Sequence, residues 1–206
     1  MTNRGVRTAD SQGRRKTTAR GGDSRRQDLL EAAARRFASR GYEGTSIRDI
    51  ARDVGMLPGS IYYHFASKEE LLVAVHKEGV LQVMEAVRKA VSRAGDDPWD
   101  RLTAAAEAHL ESLLGENEFS PVVTPQFTRS FDDPLRSTLI AQRDEYEAFF
   151  VSLVNKLPLP PGTSRQLFRL ALLGSLNWTL TWYRPGRKKP ATLARQMIGL
   201  YRKPLE

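Results

Sequence analysis

The residues best equipped for chemistry lie together between 46 and 65, where the chain reads SIRDIARDVGMLPGSIYYHF. Ile50, Val54 and Ile61 give this stretch an apolar side. Pro58, Gly59, Ser60, Tyr62, Tyr63 and His64, with Lys68 just beyond, lie off that side. Hydroxyl, imidazole and ammonium groups donate to phosphate oxygens, and aromatic edges pack on a sugar or a thymine methyl. Gly59 brings no side chain and leaves room for close backbone approach. Thr45 and Ser46 open the preceding helix, whose free N–H groups and dipole attract phosphate. Arg48, one turn in, reaches a phosphate or a base edge. This is the chemistry of binding a polyanion. Plainer readings stand beside it for single residues: Tyr62 packs equally well between helices, His64 caps or packs locally, and Arg48 with Arg52 forms a solvated face.

Bond-making chemistry finds no comparable support. There is no Ser/His/Asp constellation of useful spacing, no phosphate loop, no His-Glu-x-x-His and no paired-carboxylate motif. Asp96, Asp97, Asp132 and Asp133 read as helix caps. His64, His76 and His109 lack metal-ligand spacing, and the chain has no cysteine. No catalytic residue, metal ligand or cofactor is expected.

The elements that must hold residues 46–65 are helices. Ser24 with Gln27 reads as a capping box, followed by Leu29, Leu30, Ala33 and Phe37 on one face and by Gly41 as a stop. Thr45 and Ser46 with Asp49 start a short helix. Gly55 turns the chain, and Pro58 opens a second short helix at a position where its missing N–H costs nothing. Together they make a helix-turn-helix, with small Ala51 allowing close approach. Leu57 stands at the cap of the second helix, where Ser or Thr would serve better; Pro58 partly compensates. Ser67 with Glu70 caps a long helix reaching about Arg93. Asp97 before Pro98, Asp133 before Pro134, Thr163 with Gln166, and Lys189 before Pro190 mark later starts. Loops fall at 94–97, 157–162 and 184–189. No alternating strand pattern occurs, so the fold class is all-α with about nine helices.

A length of 206 residues allows a small domain on a larger one, and 40% hydrophobic with 27% charged residues is an ordinary globular balance. The net charge is +8. Residues 1–26 hold eight basic and two acidic residues, and so most of the surplus. Residues 1–22 are expected to form a flexible arm, because they carry too few apolar groups to offset chain entropy. Such an arm suits a polyanion, or serves as a solubilising tail. No secretory signal is seen, and the apolar run 170–176, bounded by Arg169 and Asn177, is too short to span a bilayer. A cytoplasmic location without membrane contact is expected.

Ala32, Ala33 and Phe37; Gly41 and Tyr42; Thr45, Ser46 and Ile47; Asp49, Ile50 and Ala51; Gly55; Gly59 through Phe65; and Lys68, Glu69, Glu70, Leu71 and Leu72 together resemble the N-terminal domain of the TetR family of bacterial transcriptional regulators. The resemblance covers residues 24–75. It implies an Ω-shaped homodimer whose recognition helices enter successive major grooves of double-stranded DNA at a palindromic operator, with half-site centres about 34–36 Å apart or a multiple of that. Thr45, Ser46, Arg48, Pro58, Gly59, Ser60, Tyr62, Tyr63, His64 and Lys68 are then the DNA-binding residues. The implied organisation is a DNA-binding domain over 23–83, with its helix-turn-helix at 46–65, and a ligand-binding and dimerisation domain over 84–206.

The larger domain is less explicit. A helix over 165–183 is apolar nearly all round, as expected of an element buried on two fronts, one against the core and one against a partner subunit. Leu167, Leu170, Leu173, Leu193, Met197, Leu200 and Tyr201 are the expected dimerisation residues. A small-molecule effector is expected between the helices, with Phe127, Arg129, Tyr146, Phe150, Asn177, Trp178 and Trp182 as candidates; simple core packing is the alternative for each aromatic. Residues 177–186 are similar to the matching stretch in regulators of fatty-acid, aromatic or sterol breakdown, some of which answer to acyl-CoA thioesters. Arg184, Arg187, Lys188 and Lys189 would meet CoA phosphates, or form a wet loop. The function expected is that of a repressor released by its effector; a ligand-independent DNA-binding regulator or architectural protein is the alternative.

Overall fold

A computed structural model describes the backbone of residues 13–202 and the side chains of 24–202. Among the described residues it holds nine α-helices, one 3-10 turn and no strand. The helices are α1 (Gly13–Arg40), α2 (Ile47–Asp53), α3 (Pro58–His64), α4 (Lys68–Ser92), α5 (Pro98–Leu114), α6 (Pro125–Thr128), α7 (Asp133–Val154), α8 (Arg165–Trp182) and α9 (Pro190–Arg202); the 3-10 turn spans Ser120–Val123. No helix among them is long and apolar enough to cross a membrane.

Capping chemistry sets most of the starts. Ser46 and Asp49 form a reciprocal capping box on α2, and Asp97 accepts from the Asp100 N–H ahead of Pro98. Leu57 provides no side-chain cap for α3, where Pro58 occupies the first turn. Ser67 accepts from Glu70 N–H, while the Glu70 carboxylate reaches back to Ala66 N–H. Three starts differ from the sequence reading. α1 begins at Gly13, so Ser24 and Gln27 lie within a helix. Once nucleated on a packed segment, a helix propagates outward with one hydrogen bond gained for each residue fixed, which offsets that residue's entropy cost. The expected arm is thus helical over 13–22, and residues 1–12 lie outside the described residues. The α7 cap is Asp132, with Asp133 already in the first turn. Ser164, not Thr163, caps α8 by accepting from Leu167 N–H.

Two hydrophobic cores share α4. In the first, Leu29, Leu30, Ala33 and Phe37 of α1 meet Ile47, Ile50, Ala51, Ile61 and Phe65 over Leu71, Leu72 and Val75 of α4. Gly55 turns the corner between α2 and α3 at φ 64°, a region that favours glycine. Arg36 clamps α1 to the end of α2 through two 2.6 Å bonds to the Asp53 carboxylate, which is thereby held below its ordinary pKa. In the second core, Met84, Val87 and Val91 of α4 pack with α5, α7, α8 and α9. The expected boundary between residues 83 and 84 falls inside α4, which crosses it without a break. The first core also takes in Phe119, Val122, Phe131 and Leu139 from beyond that boundary.

The 3-10 turn reaches that position because Gly79 on α4 is bare. A Cβ there would stand 2.6 Å from Val123 Cγ1 and 2.9 Å from Phe119 Cβ. Neither atom is the end of a flexible chain. Overpacking therefore outweighs the roughly 1 kcal/mol that alanine gains over glycine inside a helix. Gly79→Ala is expected to lower the urea-unfolding stability by about 1–2 kcal/mol, and an unchanged or raised midpoint would show that the turn has freedom to retreat.

Candidate functional site

The outer surface of the helix-turn-helix is built on a braced corner. Tyr63 is 90% exposed and Tyr62 is 55% exposed, although both share a short helix with buried Ile61. The Tyr63 ring meets His64 edge-on at 5.6 Å. Arg48 is exposed beside them, and Gly59 faces open space, with no atom within 4 Å of a would-be Cβ. Pro58, Ser60 and His64 are half-buried. Ser46 is exposed, with its hydroxyl donating to Asp49 at 2.6 Å; this bond holds the Asp49 carboxyl below its ordinary pKa.

Two residues expected on this surface are placed otherwise. Thr45 is buried, and its hydroxyl donates to the Gly41 carbonyl at 2.8 Å. Lys68 donates to the carbonyls of Tyr42 and Thr45 at 3.0 and 3.1 Å and lies 4.1 Å above the Tyr42 ring. The Thr45 side chain closes the α1–α2 turn onto the end of α1, and the Lys68 side chain ties that turn to the start of α4. Nothing short-range in the sequence signals this, because Lys68 lies far along the chain from the carbonyls it satisfies.

The second site is a cavity of about 240 Å³ bounded by α4, α5, α7, α8 and the segment 120–125. Val80, Val83, Leu113 and Leu173 line it with apolar surface; His109, Tyr146, Asn177, Arg143, Glu147 and Arg169 supply polar groups. Glu147 pairs with Arg169 at 2.8 Å and with Arg143 at 3.6 Å, so two guanidinium groups share one carboxylate and the wall keeps a positive excess. His109 Nδ1 lies 2.5 Å from the Tyr146 hydroxyl. Burial pushes the His109 pKa down to about 4, with Asn177 beside the ring opposing the shift. Burial pushes the Tyr146 phenol upward. At neutral pH this pair is an uncharged imidazole and a protonated phenol.

Of the expected effector residues, Tyr146 and Asn177 line the cavity. Phe150 stands behind them, fully buried, 5.3 Å from Tyr146 and 6.1 Å from His109. Phe127 packs on Phe131 beside the first core, and Arg129 is exposed. Trp178 and Trp182 point outward from α8, 61% and 47% exposed. Periodicity identifies two apolar faces on α8 without telling which one faces in. Arg143, Glu147 and Arg169 read in sequence as ordinary surface charges. His109, a lone polar residue between Ala108 and Leu110, is the one available signal.

The outward face of α8 is a continuous apolar strip. Leu167 and Leu170 join the two tryptophans on it, and Leu200 of α9 is 74% exposed. Leu173 and Leu193, expected at a subunit contact, are buried in the second core instead, because that side of α8 meets α5 and α7 and that side of α9 meets α5. Met197 and Tyr201 are half-buried, and the Tyr201 hydroxyl bonds Ser175 at 2.8 Å.

Residues 29–75 match the family of bacterial regulatory proteins called tetR, and residues 95–205 match the tetracyclin repressor-like C-terminal domain. The chain is 30% identical over 186 residues to the HTH-type transcriptional repressor KstR2 of Mycobacterium tuberculosis, covering 86% of this chain and 88% of that protein. The fold is similar to that of the TetR family transcriptional regulator PfmR from Thermus thermophilus, with a TM-score of 0.70 at 30% identity over 86% of this chain and 98% of the other. It is also similar to AibR in complex with isovaleryl coenzyme A and operator DNA, with a TM-score of 0.74 at 26% identity over 85% and 97% of the two chains.

The buried imidazoles make the fold acid-sensitive. His76, packed between α4 and α7 with Nδ1 2.7 Å from Gln142, is held near 4 by burial in the same way as His109. Between pH 4 and the ordinary histidine value of 6.5 the unfolded chain binds more protons than the folded one, so stability rises with pH across that window. The thermal midpoint is expected to be level above about pH 7 and to fall steadily as pH drops from about 6.5 towards about 4. A midpoint that stays level across that window would mean that both rings escape their apolar surroundings.

Proposed function

Because this chain belongs to the TetR family of bacterial regulatory proteins, a family of DNA-binding regulators rather than enzymes, we propose that it acts as a homodimeric repressor released from a palindromic operator by a small hydrophobic effector. The observation that carries this reading is the union of two sites on one element. α4 supports the exposed Tyr62, Tyr63 and Arg48 at its start, and Val80 and Val83 of the same helix line the cavity.

Recognition follows from the surface. α3 enters a major groove with Tyr62, Tyr63 and Gly59 against base edges and sugars, while Ser46 and Arg48 at the start of α2 meet phosphates. The apolar strip of Leu167, Leu170, Trp178 and Trp182 pairs with its copy in a second protomer, which sets the spacing of two such heads. The effector is an acyl thioester or a related hydrophobic acid. Support comes from the apolar cavity with its arginine excess and from the isovaleryl coenzyme A complex of AibR. The exposed Arg184, Arg187, Lys188 and Lys189 at the end of α8 offer charge for a nucleotide tail. Release is a linked equilibrium. A ligand that prefers a head spacing unsuited to the operator weakens DNA binding by that preference and no more, and DNA weakens ligand binding by the same factor.

Duplexes selected by the full chain from a randomised pool supply the assay. Tyr63→Ala and Arg48→Ala are each expected to weaken binding about tenfold or more in fluorescence anisotropy, with the dimer intact by sedimentation. Unchanged affinity in both variants would remove α3 as the reading element. Leu170→Asp combined with Trp178→Asp is expected to yield monomers, and a persistent dimer would move the subunit contact elsewhere. Deleting residues 1–22 is expected to weaken binding and flatten its salt dependence; an unaltered slope would make that segment a bystander.

A further inference from the structure

Ion pairing at the cavity wall is lopsided. Arg143 and Glu147 stand one turn apart on α7, and Arg169 reaches the same carboxylate from α8. Arg169 Nη1 donates to Glu147 Oε2 at 2.8 Å. Arg143 Nη2 stands 3.6 Å from Glu147 Oε1, too far for a hydrogen bond, and its guanidinium completes none among the described residues. A guanidinium is a planar fork of N–H donors that fits a carboxylate or phosphate in bidentate fashion. Here two forks share one carboxylate through a single hydrogen bond. The side chains of Arg143 and Arg169 are shielded, 21% and 15% exposed, whereas that of Glu147 is 40% exposed. Glu147 is thus the member of the trio that water can take back, while the guanidinium groups stay with the wall.

We infer that Arg143 and Arg169 read an anionic oxygen group, carboxylate or phosphate, on the effector, and that Glu147 is a built-in competitor whose place that group takes. The inference rests on the cavity being the effector site, and it adds which end of the effector is read and what it replaces. Val80, Val83 and Leu113 receive the aliphatic part. An anionic ligand gains the hydrogen bonds that Glu147 leaves unmade, and an uncharged one of the same shape gains none. Glu147 keeps the guanidinium groups paired when no ligand is bound, since a shielded cation without a counter-charge is costly. It also holds down the affinity for the effector, because every anion that binds must first oust or tolerate a carboxylate already there.

Three ligands with a common octanoyl chain separate the possibilities by calorimetry on the full chain. Octanoate ends in a carboxylate, octanoyl-CoA carries phosphates beyond its thioester, and octanoyl-N-acetylcysteamine is an uncharged thioester. Glu147→Gln is expected to tighten binding of octanoate, octanoyl-CoA or both about tenfold. Arg143→Gln and Arg169→Gln are each expected to weaken the same ligand about tenfold or more. The uncharged thioester is expected to bind all three variants within about twofold of the unmodified protein, which shows in the same titrations that they are folded. A gain for octanoate identifies a carboxylate as the group read, and a gain confined to octanoyl-CoA identifies a phosphate. Glu145→Gln removes an equal charge from an exposed position of α7 outside the cavity and is expected to change nothing. Val83→Trp, which fills the cavity, is expected to abolish binding of all three ligands. No gain for either anion in Glu147→Gln, an equal gain in Glu145→Gln, or losses in the arginine variants that the uncharged thioester shares would overturn the anion reading while leaving the cavity as the effector site. Undiminished binding in Val83→Trp, or no binding of any of the three to the unmodified protein, would overturn the cavity reading and the anion reading with it.

Discussion

Leu71, Leu72 and Val75 near the start of α4 lie under the helix-turn-helix, and Met84, Val87 and Val91 near its end lie in the core of the larger bundle. One uninterrupted helix thus carries two apolar faces into two separate cores, and neither core closes without it. Hydrophobic burial is non-directional, but a helix is stiff. The two halves of the molecule therefore cannot rearrange independently of α4. The 3-10 turn adds a second tie. Phe119 and Val122 sit in the first core, while Ser120 and Val123 wall the cavity. Gly79 is what lets that turn seat against α4.

Electrostatics divide the molecule in a complementary way. On the helix-turn-helix, charged and polar groups are largely spent on structure: Arg36 on Asp53, Ser46 on Asp49, Lys68 on the carbonyls of the α1–α2 turn. These bonds brace α2 and the turn before it, while α3 has no side-chain cap of its own. What is left outward is mainly aromatic surface and Arg48. In the cavity the balance is reversed. His109 and Tyr146 are kept uncharged by burial, and the net charge comes from Arg143 and Arg169 around a single Glu147.

Much of this architecture is legible in the chain. Ser46 with Asp49, Pro58, Ser67, Asp97 with Pro98, and Pro190 mark helix starts by local chemistry, and the structure places the starts there. Local rules slip by one residue at Asp132 and Ser164, where two adjacent residues are each capable of capping. They fail for the start of α1, where helix propagation overrides a capping signal. The outer face of the helix-turn-helix is legible because its exposed aromatic residues interrupt an otherwise clear apolar period. The cavity mostly is not. Its walls come from four helices and a turn that no sequence window spans. Its arginines look like any solvated arginine until α7 and α8 bring them onto one carboxylate. Lys68 reads as outward-facing for the same reason, since the Tyr42 and Thr45 carbonyls that hold it lie far back along the chain; Thr45 is held locally, by the Gly41 carbonyl.

The length of α4 has a geometric consequence. Its 25 residues correspond to a shaft of ~37 Å at ~1.5 Å per residue. Pivoting that shaft by ~5° about its far end sweeps Lys68 through ~3 Å, close to the ~3.4 Å step between neighbouring base pairs. The same pivot moves Val80 and Val83, nearer the far end, by about half as much or less. On the proposed reading, an angular change of that size would take a head out of register without unfolding or large rearrangement.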